Sequence, residues 1–234
     1  RFGIKPLYYA ELPEGGICFG SEPSALAPLV SLEAEPALLP TYLSLGYLPA
    51  PLTPYKNVRK LPAGTLLEYE NERCLTLQWW EPSAYFEVKK VSTPDLVEAL
   101  EDSVTAHTVA DVPIGVFISG GLDSSVVAAL AARRAHQKIV AFTVGFTAPG
   151  AGEGYDFDER AEAASVARHL GLEHITLETG LPEADDLLDL AAKYGEPIGD
   201  EAAVPTYAIA RVARQHVKVV LTGEGGDELF GGYD

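Results

Sequence analysis

From residue 113 onward, short apolar runs alternate with longer amphipathic stretches, and no other feature narrows the fold as far. The runs are "PIGVFIS", "KIVAFTVGF", "HITLE" and "VKVVLTG". Between them lie "DSSVVAALAARRA", "FDERAEAASVARHLG" with Gly171 just past its end, "EADDLLDLAAKYG" and "AVPTYAIARVARQH". Runs this short and apolar read as strands buried on both faces, and the segments between them, apolar at helical spacing, read as helices. The expected class is α/β: a parallel sheet with helices on both faces and right-handed crossovers. Ligands of such a sheet bind beyond the carboxyl ends of its strands.

Upstream the pattern differs. "IKPLYYA", the turn "PEGG", "ICFGSE" and "GTLLEYENERCLTLQWWEP" predict a mostly β region, with "ENER" as a hairpin loop. "LPTYLSLGYLPAP" predicts a short helix running into a proline-rich loop. "VSTPDLVEALEDSV" then predicts a helix capped by Thr93, with Pro94 at its first position and Leu96, Leu100 and Val104 near one face. The boundary falls between residues 88 and 93, giving one domain over 1–90 and another over 91–234.

The two regions also differ in charge. Residues 1–90 carry a net of −2 and residues 91–234 a net of −15. A surface that acidic repels a nucleic-acid backbone, so no nucleic-acid partner is expected, and a phosphate ligand needs local help. No apolar stretch reaches the length of a membrane span and no signal peptide opens the chain, so no membrane partner and a cytoplasmic location are expected. Cys18 and Cys74 stand alone, which predicts two free thiols rather than a zinc site or a disulfide framework. Arg1 opens directly into a strand-like run and Asp234 follows "ELFGGY" with no closing element, so the chain reads as a piece of a longer one.

The first strand of the α/β region ends in "GVFISGGLDSS", residues 115–125. A strand that passes through glycines into a helix delivers unpaired N–H groups and the positive end of the helix dipole, which together cradle an anion. Gly120 and Gly121 let the backbone approach the ligand, and Ser119, Ser124 and Ser125 offer hydroxyls. The Walker A lysine is absent, and so is the GxGxxG of dinucleotide folds. Asp123 is a carboxylate inside a phosphate cradle, which calls for a cation between the two, and magnesium suits that place. A second strand also ends in glycines: "VVLTGEGGDELFGGY" supplies Glu224, Asp227 and Glu228. In a parallel sheet both loops emerge at one edge, so Asp227 is expected to join Asp123 on one metal. The loop after "KIVAFTVGF" is placed to pass along an adenine ring.

"SGGLDSS" resembles the pyrophosphate loop of the PP-loop ATP pyrophosphatases, and "LTGEGGDELFGGY" resembles the partner motif of glutamine-hydrolysing asparagine synthetases. "RFGIKPLYYA", "FGSEPSAL" and "LPAGTLLEY" are similar to the last strands of that family's class II glutamine amidotransferase domain. The resemblance covers nearly the whole chain in family order. It implies ATP and Mg²⁺ as cofactors, with aspartate and glutamine-derived ammonia as the other small-molecule partners, and leaves a homodimer open. Aspartate would attack the α-phosphorus of ATP, releasing pyrophosphate, and ammonia would then displace AMP to give asparagine.

Carried onto this sequence, the resemblance places Ser119, Gly120, Gly121, Asp123 and Ser124 on pyrophosphate, with Asp123 and Asp227 on the metal. Phe117 and Val144 match backbone contacts to the nucleotide, Phe117 standing where a smaller aliphatic residue is commoner. Thr222 and Gly223 match a Ser-Gly pair that contacts ATP, and Glu224 matches the catalytic glutamate, with a general-base role. The N-terminal nucleophilic cysteine of the family has no counterpart here, so this chain is not expected to hydrolyse glutamine. Other readings are a β-lactam-forming synthetase of the same superfamily, a non-catalytic nucleotide-binding module, and a serine hydrolase on Ser119. The last lacks a GxSxG elbow, and no histidine is placed beside Ser119 by the sequence.

Overall fold

The structure is a computed structural model that describes residues 1–86, 90–135, 137–146, 158–179, 184–200 and 202–232. The elements in chain order begin with β1 (Tyr8–Glu11), β2 (Ile17–Gly20), α1 (Leu39–Leu45), β3 (Arg59–Lys60), β4 (Thr65–Glu70) and β5 (Arg73–Gln78). They continue with α2 (Thr93–His107), β6 (Ile114–Phe117), α3 (Leu122–Arg134), β7 (Val140–Phe146), α4 (Arg160–Leu170) and β8 (Glu173–Thr179). The last are α5 (Ala184–Tyr194), α6 (Ala203–Ala213), β9 (Val219–Leu221) and α7 (Gly226–Phe230). Two compact units result: residues 1–89 with 183–203, and residues 90–182 with 204–234.

In the first unit, β2, β1 and β3 form an antiparallel sheet in that order, and β4 pairs with β5. The β4–β5 turn falls inside "ENER": Asn71 and Glu72 both take positive φ, 51° and 60°, as a two-residue turn matched to strand twist requires. Tyr8, Ala10, Cys18, Leu26, Val30 and Val58 make the core. Both cysteines are free thiols. Helix α5 and the residues after it belong to this unit through polar contacts. The Tyr8 hydroxyl donates to Glu196 Oε1 at 2.5 Å, Lys60 Nζ lies 2.8 Å from the same oxygen, and the Tyr55 hydroxyl donates to the Gly195 carbonyl at 2.8 Å. Burial, and then the hydrogen bond to Glu196, push the Tyr8 hydroxyl pKa upward, so it stays a donor.

The second unit is a parallel sheet in the order β8-β7-β6-β9. The alternation of side chains along its strands divides two cores. Ile114, Val116, Ile118 and Ala141 face one way and pack with Val104 of α2, Ala128 and Ala131 of α3, and Ala163 and Ala167 of α4. Phe142 faces the other way and packs with Ile209 and Ala213 of α6, flanked by Phe117, Val140, Val144, Ile175 and Val220. Helices therefore cover both faces, as the buried runs require. Small residues on α3 and α4 let these helices lie close to the sheet.

One local expectation is corrected. The cap of α2 is Ser92 rather than Thr93: the Ser92 hydroxyl accepts from the Asp95 N–H, and the Asp95 carboxylate accepts from the Ser92 N–H at 3.2 Å. This reciprocal pair satisfies two donors that Thr93 would leave open, and it moves Pro94 one place into the first turn. The second glycine-rich stretch, for which no helix was expected, winds into α7 after Gly225. Among the described residues no helix is long and apolar enough to cross a membrane.

Phe142 is 1% exposed and fills the α6 face of the sheet. Phe142→Ala is expected to cost about 3–5 kcal/mol, read as a lower urea midpoint at unchanged slope.

Candidate functional site at the sheet switch point

The strand order fixes where a site belongs. The chain steps from β6 to β7 to β8 in one direction, then returns so that β9 pairs with the opposite edge of β6. The crossover that leaves β6 runs through α3 on one face and the one that enters β9 runs through α6 on the other, so the loops beyond these two strands flank a crevice at the carboxyl rim. Those loops are the two glycine-rich stretches.

The first loop leaves the sheet at Ile118 and reaches α3 in three residues, Ser119, Gly120 and Gly121. Gly120 has φ +93°, and a Cβ there would stand 2.5 Å from Glu162 Cβ and 3.2 Å from Ala163 N, so only glycine fits against α4. Gly121 is the N-cap of α3 with no side chain to satisfy the first-turn donors. The Ser119 N–H donates to Ser124 Oγ at 3.3 Å, and the Gly121 N–H donates to Ser119 Oγ at 3.2 Å. The two hydroxyl oxygens lie 3.0 Å apart. Ser125 departs from the cradle, because its hydroxyl donates to the Gly121 carbonyl at 2.6 Å inside the first turn of α3.

The second loop, Thr222 to Gly225, lies directly on the first. A Cβ on Gly223 would stand 2.7 Å from Ser124 N and 3.1 Å from the Asp123 carbonyl carbon. A Cβ on Gly226 would collide with the Asp123 carboxylate. Asp123 therefore reaches across from α3 to Gly226 at the start of α7. The Asp227 carboxylate itself lies over Gly232, within the turn that ends α7. Glu224 is exposed between the two glycines. Asp123 and Asp227 each sit in the first turn of a helix, where a carboxylate is favoured by the dipole.

The side chains of Phe117 and Val144 join the core around Phe142, with Phe117 and Phe142 edge to face at 6.5 Å. Both side chains are only partly buried, Phe117 at the end of β6 and Val144 two residues before the end of β7. The loop after β7, expected beside adenine, spans residues 147–157 and lies outside the described residues. No group of three or more metal-ligating side chains occurs among the described residues. The hydroxyl of Ser119 pairs with Ser124, and among the described residues no histidine hydrogen-bonds to it as a serine hydrolase requires.

The asparagine synthase family model matches residues 95–234, more than half of the chain and the whole of this loop pair. The chain belongs to the asparagine synthase family. A glutamine amidotransferase domain model matches residues 1–80. Similar relatives in the asparagine synthase family include the putative glutamine-hydrolyzing asparagine synthetase of Mycobacterium tuberculosis H37Rv. It is 44% identical over 140 residues, which is 59% of this chain and 20% of that protein. Asparagine synthetase 1 of Bacillus subtilis is 40% identical over 138 residues, 58% of this chain and 21% of that protein. Asparagine synthetase B of Escherichia coli is 37% identical over 157 residues, 59% of this chain and 27% of that protein. The chain thus spans well under a third of the length of each of the three.

Two residues that no motif drew attention to, Thr143 and His174, also reach the first loop. His174 Nε2 lies 2.9 Å from Thr143 Oγ1, and the Thr143 hydroxyl donates to the Ile118 carbonyl at 2.7 Å. Their signal in the sequence is only a polar residue inside each of two apolar runs.

The glycine contacts separate two kinds of substitution. Gly223→Ala pushes a methyl into backbone and is expected to cost about 1–3 kcal/mol. Gly226→Ala meets the end of one side chain, so it is expected to displace the Asp123 carboxylate at less than about half that cost, both read by urea denaturation. Burial holds the His174 imidazole below the ordinary histidine value of 6.5. The unfolded chain takes up its proton first, so stability is full above 6.5 and is lost as the pH falls from there through the folded value. Denaturation at about pH 7.5 and about pH 5.5 should show this loss, and His174→Gln should reduce it.

Proposed function

We propose that this chain carries the nucleotide-binding part of a glutamine-dependent asparagine synthetase. In this reading residues 1–90 are the C-terminal part of a glutamine amidotransferase domain, and residues 91–234 open the synthetase domain. The observation that carries it is the seating of Gly223 and Gly226 on Ser124 and Asp123, which makes one site of two loops at the switch point. The relatives' names and the match to the glutamine amidotransferase model support the same assignment.

The reaction suits this machinery. A carboxylate resists attack by ammonia because its oxygen is a poor leaving group. Transfer of the AMP moiety onto aspartate, with loss of pyrophosphate, makes that oxygen leave as AMP when ammonia attacks. The N–H groups of the first loop and of the first turn of α3 would hold the β- and γ-phosphates as charge gathers on the departing pyrophosphate. Ser119 and Ser124 would exchange their mutual hydrogen bonds for phosphate oxygens. Thr222 and Gly223 would line the α-phosphate side, and the backbone of Phe117 and Val144 would face the nucleoside.

Asp123 and Asp227 would hold Mg²⁺. The donor set fits, since this cation takes one or two carboxylates and fills its remaining positions with phosphate oxygens and water. The Asp123 carboxylate already lies over Gly226, at the start of α7. When bound, the cation would neutralise phosphate charge beside these acids. Glu224, exposed between Gly223 and Gly225, would accept the proton that the attacking nitrogen must shed.

The test is exchange of labelled pyrophosphate into ATP by the whole protein. Exchange is expected only when aspartate is present, and Glu224→Gln is expected to lower asparagine formation about 10²–10⁴-fold while leaving ATP binding in place. Aspartate-independent exchange, or none, overturns the reading.

A further inference from the structure

The peptide that opens the first loop is held by a hydrogen-bonded chain that comes from two strands away. The β6–β7 ladder ends with the Ile118 N–H donating to the Phe142 carbonyl at 3.0 Å. Beyond that point β6 turns out of the sheet, and the Ile118 carbonyl accepts from the Thr143 hydroxyl at 2.7 Å. Ile118 is 2% exposed and Thr143 is 3% exposed, so water does not share this bond. His174 stands two residues before Thr176, the register partner of Thr143, and therefore on the same face of the sheet. Its Nε2 lies 2.9 Å from Thr143 Oγ1.

The proton inventory leaves one arrangement. A threonine hydroxyl has a single proton, and a carbonyl can only accept. The Thr143 proton therefore goes to Ile118, and the contact with His174 must be donated by the imidazole. The neutral ring is thereby fixed as the Nε2–H tautomer.

This arrangement acts on the loop through one rigid unit. In a planar trans peptide the carbonyl of residue 118 and the N–H of residue 119 point in opposite directions. Drawing the Ile118 carbonyl toward Thr143 thus aims the Ser119 N–H away from the strand and into the loop, where it meets Ser124 Oγ at 3.3 Å. We propose that Thr143 and His174 are positioning residues for the phosphate loop: donation from His174 through Thr143 to the Ile118 carbonyl sets the direction of the loop's first N–H donor. Neither side chain touches the ligand. Their part in catalysis rests on the nucleotide reading given above, while the orientation of the loop does not.

Three measurements on the whole protein test this. Selective ¹⁵N labelling of histidine rings should show His174 as the Nε2–H tautomer in the native protein, and a proton on Nδ1 overturns the proposal without any variant. Thr143→Val keeps the shape of the side chain and removes its proton, whereas Thr143→Ser keeps the hydroxyl. Amide exchange over residues 119–124 is expected to quicken at least tenfold in the valine variant and to return toward the native rate in the serine variant, with exchange at Val116 and Phe142 unchanged. Equal exchange in all three proteins overturns the proposal, as does a serine variant that behaves like valine. The dissociation constant for Mg-ATP should rise in the valine variant and recover in the serine variant. Native protein that binds no Mg-ATP but shows the expected tautomer and exchange rates removes the nucleotide reading and retains the loop positioning.

Discussion

The contact on which the site depends is between two stretches of backbone with no side chain between them. Gly223 lies against the Ser124 N–H so closely that a single methyl group would separate them. Because the helix dipole and the first-turn donors of α3 act over only a few ångströms, the second loop has to come this near to share a ligand with the first. Glycine at 223 is therefore a requirement of distance. Gly120 meets the same kind of demand on the other side of the first loop, where it rests on α4 with a backbone angle that other residues rarely adopt. The loop is gripped from both sides, and its donors are fixed before any ligand arrives.

The sheet supplies the frame for that grip. Residues of alternate parity in β6 and β7 face different cores, with Ile114 and Val116 toward α2, α3 and α4, and Phe142 toward α6. A strand that is packed on both faces cannot rotate or slip by one residue without exchanging its two cores. The position at which β6 stops is thus set by packing along its length. Thr143 extends the same control one residue past the end of the ladder, using a side-chain proton where no further strand bond forms.

Much of this was legible in the sequence because the relevant signals are local. Buried strands appear as apolar runs, covering helices as periodic stretches, and tight loops as glycines beside hydroxyls and acids. The sheet with its two helical layers and the hairpin inside "ENER" follow from such signals. The cap of α2 lies one residue before the expected Thr93 because Ser92 and Thr93 are both able to cap, and the choice depends on whether Asp95 can reach back. Helix α7 was hidden because glycine at its start disfavours a helix in isolation. The contact of Gly226 with Asp123 and the line from His174 to Ile118 join residues far apart in the chain. Only the register of the sheet makes them neighbours.

The excursion of residues 183–203 has a consequence for how such a molecule can be taken apart. The chain leaves the second unit after β8, lodges Glu196 on the Tyr8 hydroxyl and the Lys60 ammonium, and returns in time to form β9. No single cleavage releases either unit intact. A truncation at the sequence boundary would strand a buried carboxylate with neither of its donors, and the liberated α/β half would inherit a loop built to fit elsewhere.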